Sequence, residues 1–338
     1  VRAIVLVGGF GTRLRPLTLQ RPKQLLPIVH RSMLEVVVER LGAAGVTEVI
    51  LSVGFEPDQF RTAFPDGVCA GVPLTYAQEP EPLDTAGAIA FAARTAGVDE
   101  PFLALNGDVI SDLDHAAIVE AHLASGARAT IALTPVEDPS RYGVVVTDED
   151  GRVTQFIEKP PPGTAPSNRI NAGAYVLSPD VIDLVPVGQA ASIERDVFPA
   201  LAAEGTLRAF DTDGYWVDAG TPASYLGVQL DLIAGRGPGP ALDGVHPSAT
   251  IHPGATVVDA VIGAGAVIGD GATVTRSVVM AGAQVGPGSV VEESLIGGDA
   301  HLGEGVTIRN LSVVGFGATV TDGATLDGGT EPPRDTWA

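Results

Sequence analysis

Lys23 and Lys159 are the two lysines of a 338-residue chain that holds 20 lysines and arginines together, so arginine fills the other 18 positions (20 − 2). Whatever bias replaced lysine by arginine spared these two. An ammonium on a flexible stem approaches a phosphate as a point charge, which a planar guanidinium does not copy, so a role for at least one of them at a phosphate is expected. Lys23 also closes a second pattern, Gly8-Gly9-Phe10-Gly11-Thr12-Arg13-Leu14-Arg15-Pro16-Leu17-Thr18 followed by Arg21-Pro22-Lys23. Glycines after a buried strand let backbone N–H groups close on an anion. Four cationic side chains, Arg13, Arg15, Arg21 and Lys23, gather there in a chain of formal charge −21, a local contrast that suits a polyphosphate ligand. The spacing matches neither G-x-x-x-x-G-K-[ST] nor G-x-G-x-x-G, which argues against kinase-like and dinucleotide readings. Asp108 and Asp218 are candidate carboxylates for a hard cation, which needs one or two of them plus phosphate oxygens. Phe156-Ile157-Glu158-Lys159-Pro160 sets the second lysine beside a carboxylate.

The elements that must hold these residues alternate. Ala3 to Val7 is a β-branched run closed by Gly8-Gly9 and reads as a strand buried on both faces. A helix is expected over Met33 to Ala44, a strand over Val49 to Val53, a helix over Thr85 to Ala96 and a strand over Phe102 to Leu105, ending in Asn106-Gly107-Asp108. A helix over Ala116 to Ala124, strands over Thr130 to Thr134 and Ala172 to Leu177, and a helix over Tyr225 to Ile233 follow. Such alternation predicts an α/β domain with a largely parallel sheet, whose ligands lie at the carboxyl ends of strands. Gly8 and Asp108 occupy two such ends. Asp84 is expected to N-cap the helix that begins near Thr85.

Gly235-Arg236-Gly237-Pro238-Gly239-Pro240 reads as a linker. Beyond it, apolar residues recur at six-residue steps: Val245, Ile251, Val257; Ile262, Ile268, Val274, Met280; Val285, Val291; and Ile296 onward through Leu302, Ile308, Val314, Val320 and Leu326. The phase slips by one residue between sets. A six-residue period fits a solenoid of short strands. The expected division is a catalytic domain over 1–234, a linker over 235–244, the repeats over 245–328 and a frayed tail over 329–338. Every candidate site residue precedes Gly235, so the repeats are expected to serve stability or assembly. His252 and His301 read as surface turn residues without an acidic partner nearby in sequence.

With 41 acidic residues against 20 basic ones, nucleic acid and anionic membranes are poor partners. One cysteine, Cys69, leaves no internal disulfide and no Cys-cluster metal site. The absence of an 18-residue apolar run and of a signal-peptide pattern leads to the expectation of a cytoplasmic protein.

The residues just quoted, together with Ile170-Asn171-Ala172-Gly173 and Trp216-Val217-Asp218-Ala219-Gly220, resemble the sugar-1-phosphate nucleotidylyltransferase family over nearly the whole chain. The resemblance implies a Rossmann-like nucleotidyltransferase domain followed by a left-handed parallel β-helix of hexapeptide repeats. It implies in-line attack of a sugar 1-phosphate on the α-phosphorus of a nucleoside triphosphate, with pyrophosphate leaving. By resemblance, Gly8, Gly9, Gly11, Thr12, Glu79 and Gly87 bind the nucleotide. Arg13 and Lys23 serve the phosphates, and Asp108 and Asp218 hold Mg²⁺. Gly143, Glu158, Lys159 and Asn171 bind the sugar phosphate. Glu81 to Gly87, Ser192 to Pro199 and Gly214 to Trp216 bring the likeness nearest to members that pair GTP with mannose 1-phosphate. A carboxylate such as Glu79 suits the N–H donors of guanine, although Gln78 beside it would suit uracil or thymine. Asp84 stands where the family usually has glycine. Homo-oligomers formed through the β-helix are a further implication. Alternatives are another sugar or cyclitol 1-phosphate, another nucleotide such as dTTP with glucose 1-phosphate, an inactive nucleotide-sugar-binding subunit, or an acetyltransferase seated in the repeats.

Overall fold

The computed structural model describes residues 1–54 and 57–337. By contacts, the chain forms two compact units. One comprises Val1–Gly9 with Leu34–Trp216. The other comprises Phe10–Met33 with Val217–Ala338. The glycine- and arginine-rich loop thus groups with the repeats, although some 200 residues of sequence separate them.

The first unit is built on a ten-stranded sheet. Arg2–Leu6 pairs in parallel with Glu48–Val53 on one side and with Phe102–Asn106 on the other, and Glu48–Val53 pairs in parallel with Val72–Gln78. The long strand Arg169–Leu177 then runs antiparallel to Phe102–Asn106 and to Ala129–Pro135. Next to it lies the hairpin Gly143–Thr147 and Val153–Glu158. The sheet is therefore mixed, parallel in the half that carries the expected nucleotide residues. Ile4, Val5, Ile50, Leu51, Phe102 and Ala104 are at most 1% exposed, as continuous apolar runs require in strands covered on both faces. Helices Met33–Ala43, Asp84–Thr95 and His115–Ser125 match their predicted positions. The direction of strand order reverses beside Arg2–Leu6, so the crevice of an open α/β sheet falls beyond Leu6 and Asn106.

In the second unit, the helix Pro222–Ile233 begins with a capping box between Thr221 and Ser224. Its Gln229 side chain accepts from the Val29 N–H at 3.0 Å, and its Tyr225 hydroxyl donates to the Pro27 carbonyl. These bonds seat the Phe10–Met33 segment on a helix about 200 residues away. The residues expected to form a linker fold back on that helix, with the Leu242 N–H donating to the Leu232 carbonyl.

The repeats form three five-stranded, all-parallel sheets, the faces of a parallel β-helix. Thr250 pairs with Val267, Val267 with Gln284 and Gln284 with His301, so a coil takes 17 residues. Two six-residue steps and one of five close each coil, which explains the slipping phase. The step of five puts Val279, rather than Met280, in the inward row after Val274. The pairing of His301 with Thr319 adds one residue, and the corner there holds two left-handed residues, Asn310 and Leu311. Inward side chains from Ile262 to Val314 are sealed from solvent. Within the segment expected as a tail, Thr330–Glu331 pairs with Val313–Val314 and Arg334–Thr336 forms a 3-10 turn. His252 does have an acidic partner, Asp270 at 2.9 Å, because stacking brings together residues one coil apart. No helix among the described residues is long and apolar enough to cross a membrane.

Candidate active site

Gly8, Glu79 and Asp108 each follow a parallel strand at its carboxyl end. Gly8 faces Gly54 and Glu79: a side chain at Gly8 would meet the Gly54 amide nitrogen at 3.2 Å and Glu79 Oε1 at 3.4 Å. The expected nucleotide residues Gly8 and Glu79 are therefore neighbours. Glu79 is 8% exposed, and its carboxylate is fixed at both oxygens. Oε1 accepts from Ser52 Oγ at 2.9 Å, and Oε2 accepts from the Leu83 N–H at 3.2 Å. A carboxylate has about four acceptor positions, so two remain for a ligand. Ser52 was not expected. Its signal in the sequence is a lone hydroxyl in the apolar strand Glu48–Val53.

The N-cap reading of Asp84 is overturned. Asp84 lies inside the helix, in the left-handed region at φ 57°. Its carboxylate accepts from the Thr85 N–H at 2.8 Å and pairs with Arg195 at 2.6 Å. The helix start is closed instead by a backbone group, the Ala191 carbonyl, which accepts from the N–H groups of Ala86 and Gly87. A left-handed position explains why glycine fits there without strain. Gly87 is buried beneath the same segment, where a side chain would meet the Gln189 carbonyl at 2.8 Å. That segment is tied to the helix a second time: Thr85 Oγ1 donates to Glu194 and accepts from the Ile193 N–H, both at 2.8 Å. Sequence reasoning had not paired Thr85 with Glu194.

Asp108 is 8% exposed, in a turn that the Gly107 N–H anchors on the Leu6 carbonyl. Gly107 has no room for a side chain, because one would meet that carbonyl at 2.9 Å. Asn171 shapes the bulge in the Arg169–Leu177 strand: its Oδ1 accepts from the Gly173 N–H at 2.8 Å and its Nδ2 donates to the Tyr175 hydroxyl at 2.9 Å. Burial pushes the Tyr175 phenol well above the usual tyrosine range. Gly143 and Glu158 face each other across the hairpin. A side chain at Gly143 would strike the Phe156 ring and meet the Glu158 carboxylate at 3.0 Å. Lys159 is left-handed at φ 48°, its N–H donates to the Tyr142 carbonyl, and its ammonium lies 3.1 Å from Glu158. The hairpin so brings Gly143, Glu158 and Lys159 together, with the lysine side chain 67% exposed and able to reach a ligand.

The second unit holds Gly11, Thr12, Arg13, Lys23 and Asp218. Gly11 is left-handed at φ 60°, and its carbonyl accepts from Thr18 Oγ1 at 2.7 Å, which closes the loop on itself. The β-carbon of Lys23 packs against Gly11, at 3.4 Å from where a side chain there would begin. Thr12 opens a short 3-10 turn that ends at Leu14, and Gly9 is exposed. The Arg13 guanidinium lies 3.6 Å from one oxygen of Asp218, whose other oxygen accepts from the Gly220 N–H at 2.9 Å. A side chain at Gly220 would meet Arg13 at 2.6 Å, so the last glycine of the Asp218-Ala219-Gly220 signature makes room for the arginine. Arg13 stays 59% exposed, poised for an anion.

This fold, with glycine turns and cationic groups at the signature positions, is that of a nucleotide-handling transferase. The nucleotidyl transferase family model matches residues 2–235, and the model of the GMPPB C-terminal domain matches residues 243–334. The chain belongs to the nucleotidyl transferase family. It is 42% identical over 275 residues to the mannose-1-phosphate guanylyltransferase of Mycobacterium tuberculosis, covering 79% of this chain and 76% of that protein. It is 38% identical to a probable mannose-1-phosphate guanylyltransferase 2 of Oryza sativa, over 99% of this chain and 96% of the relative. Among solved structures it resembles HddC from Yersinia pseudotuberculosis, with a TM-score of 0.59 and 30% identity, covering 68% of this chain and 97% of that one. A putative glucose-1-phosphate thymidylyltransferase from Bacillus anthracis gives a TM-score of 0.61 at 26% identity, over 68% of this chain and 93% of that one.

Proposed function

We propose that the protein transfers GMP from GTP to mannose 1-phosphate, forming GDP-mannose and releasing pyrophosphate. The observation that carries the choice of base is the buried Glu79 carboxylate, oriented by Ser52 and Leu83 beside Gly8 at the strand ends. It offers acceptors to the N1–H and N2–H₂ donors of guanine. The likeness to guanylyltransferases extends through both family domains and supports the same reading.

In this reading the protein positions two anions and offsets charge, without a covalent intermediate. Arg13, oriented by Asp218 and Gly220, takes the charge that develops on the leaving pyrophosphate. Lys23 serves the phosphates near the reacting phosphorus. Lys159, next to Glu158, takes the phosphate of the sugar, while Glu158, Asn171 and the Gly143 backbone fix sugar hydroxyls.

No group of three or more His, Cys, Asp or Glu suited to a metal stands among the described residues. Mg²⁺ is commonly held by one or two carboxylates and the phosphates of its substrate, and Asp108 and Asp218 are the carboxylates this reading assigns to it. When bound, Mg²⁺ would neutralise phosphate charge. Assembly of copies through the β-helix and residence in the cytoplasm belong to the same proposal. The experiment is pyrophosphate release from GTP with mannose 1-phosphate, with Mg²⁺ and with chelator. Turnover that needs both substrates and the metal is the expected result. Turnover that persists in chelator removes the metal assignment, and no turnover with this pair removes the substrate assignment.

A further inference from the structure

The corners of the β-helix stack in register: the Gly282 N–H donates to the Ala264 carbonyl, Asp299 to Ala281 and Gly317 to Gly298, each at 2.9 Å. The column that these bonds define reads Ala264, Ala281, Gly298, Phe316. Three small residues are followed by an aromatic ring, a break in the repeat that coil packing does not need. The ring lies over its small neighbour, since a side chain at Gly298 would meet Phe316 Cε1 at 2.8 Å. Its face receives Arg21, whose guanidinium carbon lies 4.6 Å from the ring centroid, well inside cation–π range.

The loop has a second fastening. Gly315 lacks a side chain where Pro16 comes close, with the Pro16 β-carbon 3.2 Å from where one would begin. Between Pro16 and Arg21, the loop spans a cavity of about 240 Å³ bordered by Leu17, Leu19, Gln20, Phe316 and Glu331. Buried Leu17 and Thr18 anchor the start of that stretch, Gln20 beyond them is exposed, and the Arg21–Phe316 clasp fastens its far end, next to Lys23. Pro22, rigid at its φ, joins Arg21 directly to Lys23.

We propose that Phe316 is a positioning residue, through which the β-helix holds the phosphate-binding loop, and Lys23 in particular, in its working conformation. The proposal rests on the reading that this loop serves the triphosphate, but its test does not depend on activity. Lys23 and Lys159 are the two lysines of the sequence, and Lys159 precedes Pro160, a bond that a lysine-specific endoprotease resists. Cleavage after Lys23, before the buried Gln24, thus reports loop opening. Phe316→Leu keeps apolar volume without a π face. It should accelerate cleavage about two- to fivefold, the equivalent of an exposed cation–π contact. Arg21→Met should do the same from the other side, and Phe316→Tyr should match the wild type. With the wild type's best triphosphate, the first two variants should raise the KM for that substrate by a similar factor and leave the KM for the sugar phosphate unchanged. Wild-type cleavage of Phe316→Leu, or equal acceleration by Phe316→Tyr, overturns the clasp. If the wild type turns over no triphosphate, the functional reading fails and the cleavage series still decides the clasp.

Discussion

Replacing Glu79 by glutamine removes a charge while keeping nearly the same shape, and it separates what this side chain does for the fold from what it does for the base. In the structure each carboxylate oxygen has one protein donor, Ser52 Oγ or the Leu83 N–H. Glutamine can still accept from Leu83 through its carbonyl. Ser52, which also lies 3.3 Å from the Ala88 carbonyl, can turn to accept from the new amide. Exchanging charge-assisted bonds for neutral ones should cost about 1–2 kcal/mol of stability. Loss of the acceptor pair facing guanine should cost GTP a further factor of roughly 10–150 in kcat/KM, about 1.5–3 kcal/mol. ATP, which carries neither the N1–H nor the N2–H₂ donor, should lose little, and ITP, which keeps only N1–H, should fall between. The assay is steady-state kinetics with GTP, ITP and ATP, beside a thermal melt. Equal losses on all three nucleotides, with a matching fall in stability, would make Glu79 a brace of the Ser52–Leu83 turn and refute the assignment of the base.

Four further expectations follow. Lys23→Arg and Lys159→Arg keep the charge and should each cost about 1.5–4 kcal/mol of transition-state stabilisation; Lys23→Arg should act mainly on the nucleotide and Lys159→Arg on the sugar phosphate, read by varying each substrate in turn. Gly143→Ala should cost about 1–3 kcal/mol by overpacking against Phe156 and should raise the KM for the sugar phosphate as Glu158 shifts, while the KM for the triphosphate holds. Removal of residues 245–338 should raise the KM for the triphosphate at least as much as Phe316→Leu even in a folded truncate, because the Pro16 and Arg21 contacts go with the repeats; a truncate with the wild-type KM would return the repeats to assembly alone. His115 is 7% exposed, and burial, with Arg40 nearby, pushes its pKa down to about 4. Between that value and the unfolded value of about 6.5 the unfolded chain binds the extra proton, so stability should fall by about 3 kcal/mol as pH drops across the window, a slope that His115→Asn should remove in pH-dependent melts.

Much of this molecule was legible in its sequence, for identifiable reasons. Buried parallel strands announce themselves as apolar runs, so Ala3 to Val7 and Phe102 to Leu105 fell within a residue or two of the observed strands. The six-residue rows gave the β-helix because each inward position must be apolar. The residues that escaped are those whose partners lie far away in the chain. Asp84 has the chemistry of a cap, but the Ala191 carbonyl had already closed the helix, a tertiary contact that local preference does not contain. The Ser52 hydroxyl looks like a blemish in a strand until Glu79 is placed beside it. The antiparallel half of the sheet went unread because the runs Thr130 to Thr134 and Ala172 to Leu177 mark strands without marking their direction, which the pairing of Arg169–Leu177 with Phe102–Asn106 and Ala129–Pro135 sets. The grouping of the Phe10–Met33 loop with the repeats depends on Tyr225, Gln229 and Phe316, none of which resembles a ligand-binding motif.

The central claim is guanylyl transfer to mannose 1-phosphate. Its most direct test is a pyrophosphate-release matrix of GTP, ATP, CTP, UTP and dTTP against mannose, glucose and galactose 1-phosphates, at fixed Mg²⁺. The account predicts that GTP with mannose 1-phosphate is the best pair. A nucleotide that turns over at least tenfold faster than GTP would contradict the guanylyl assignment, and a better sugar phosphate would contradict the choice of acceptor.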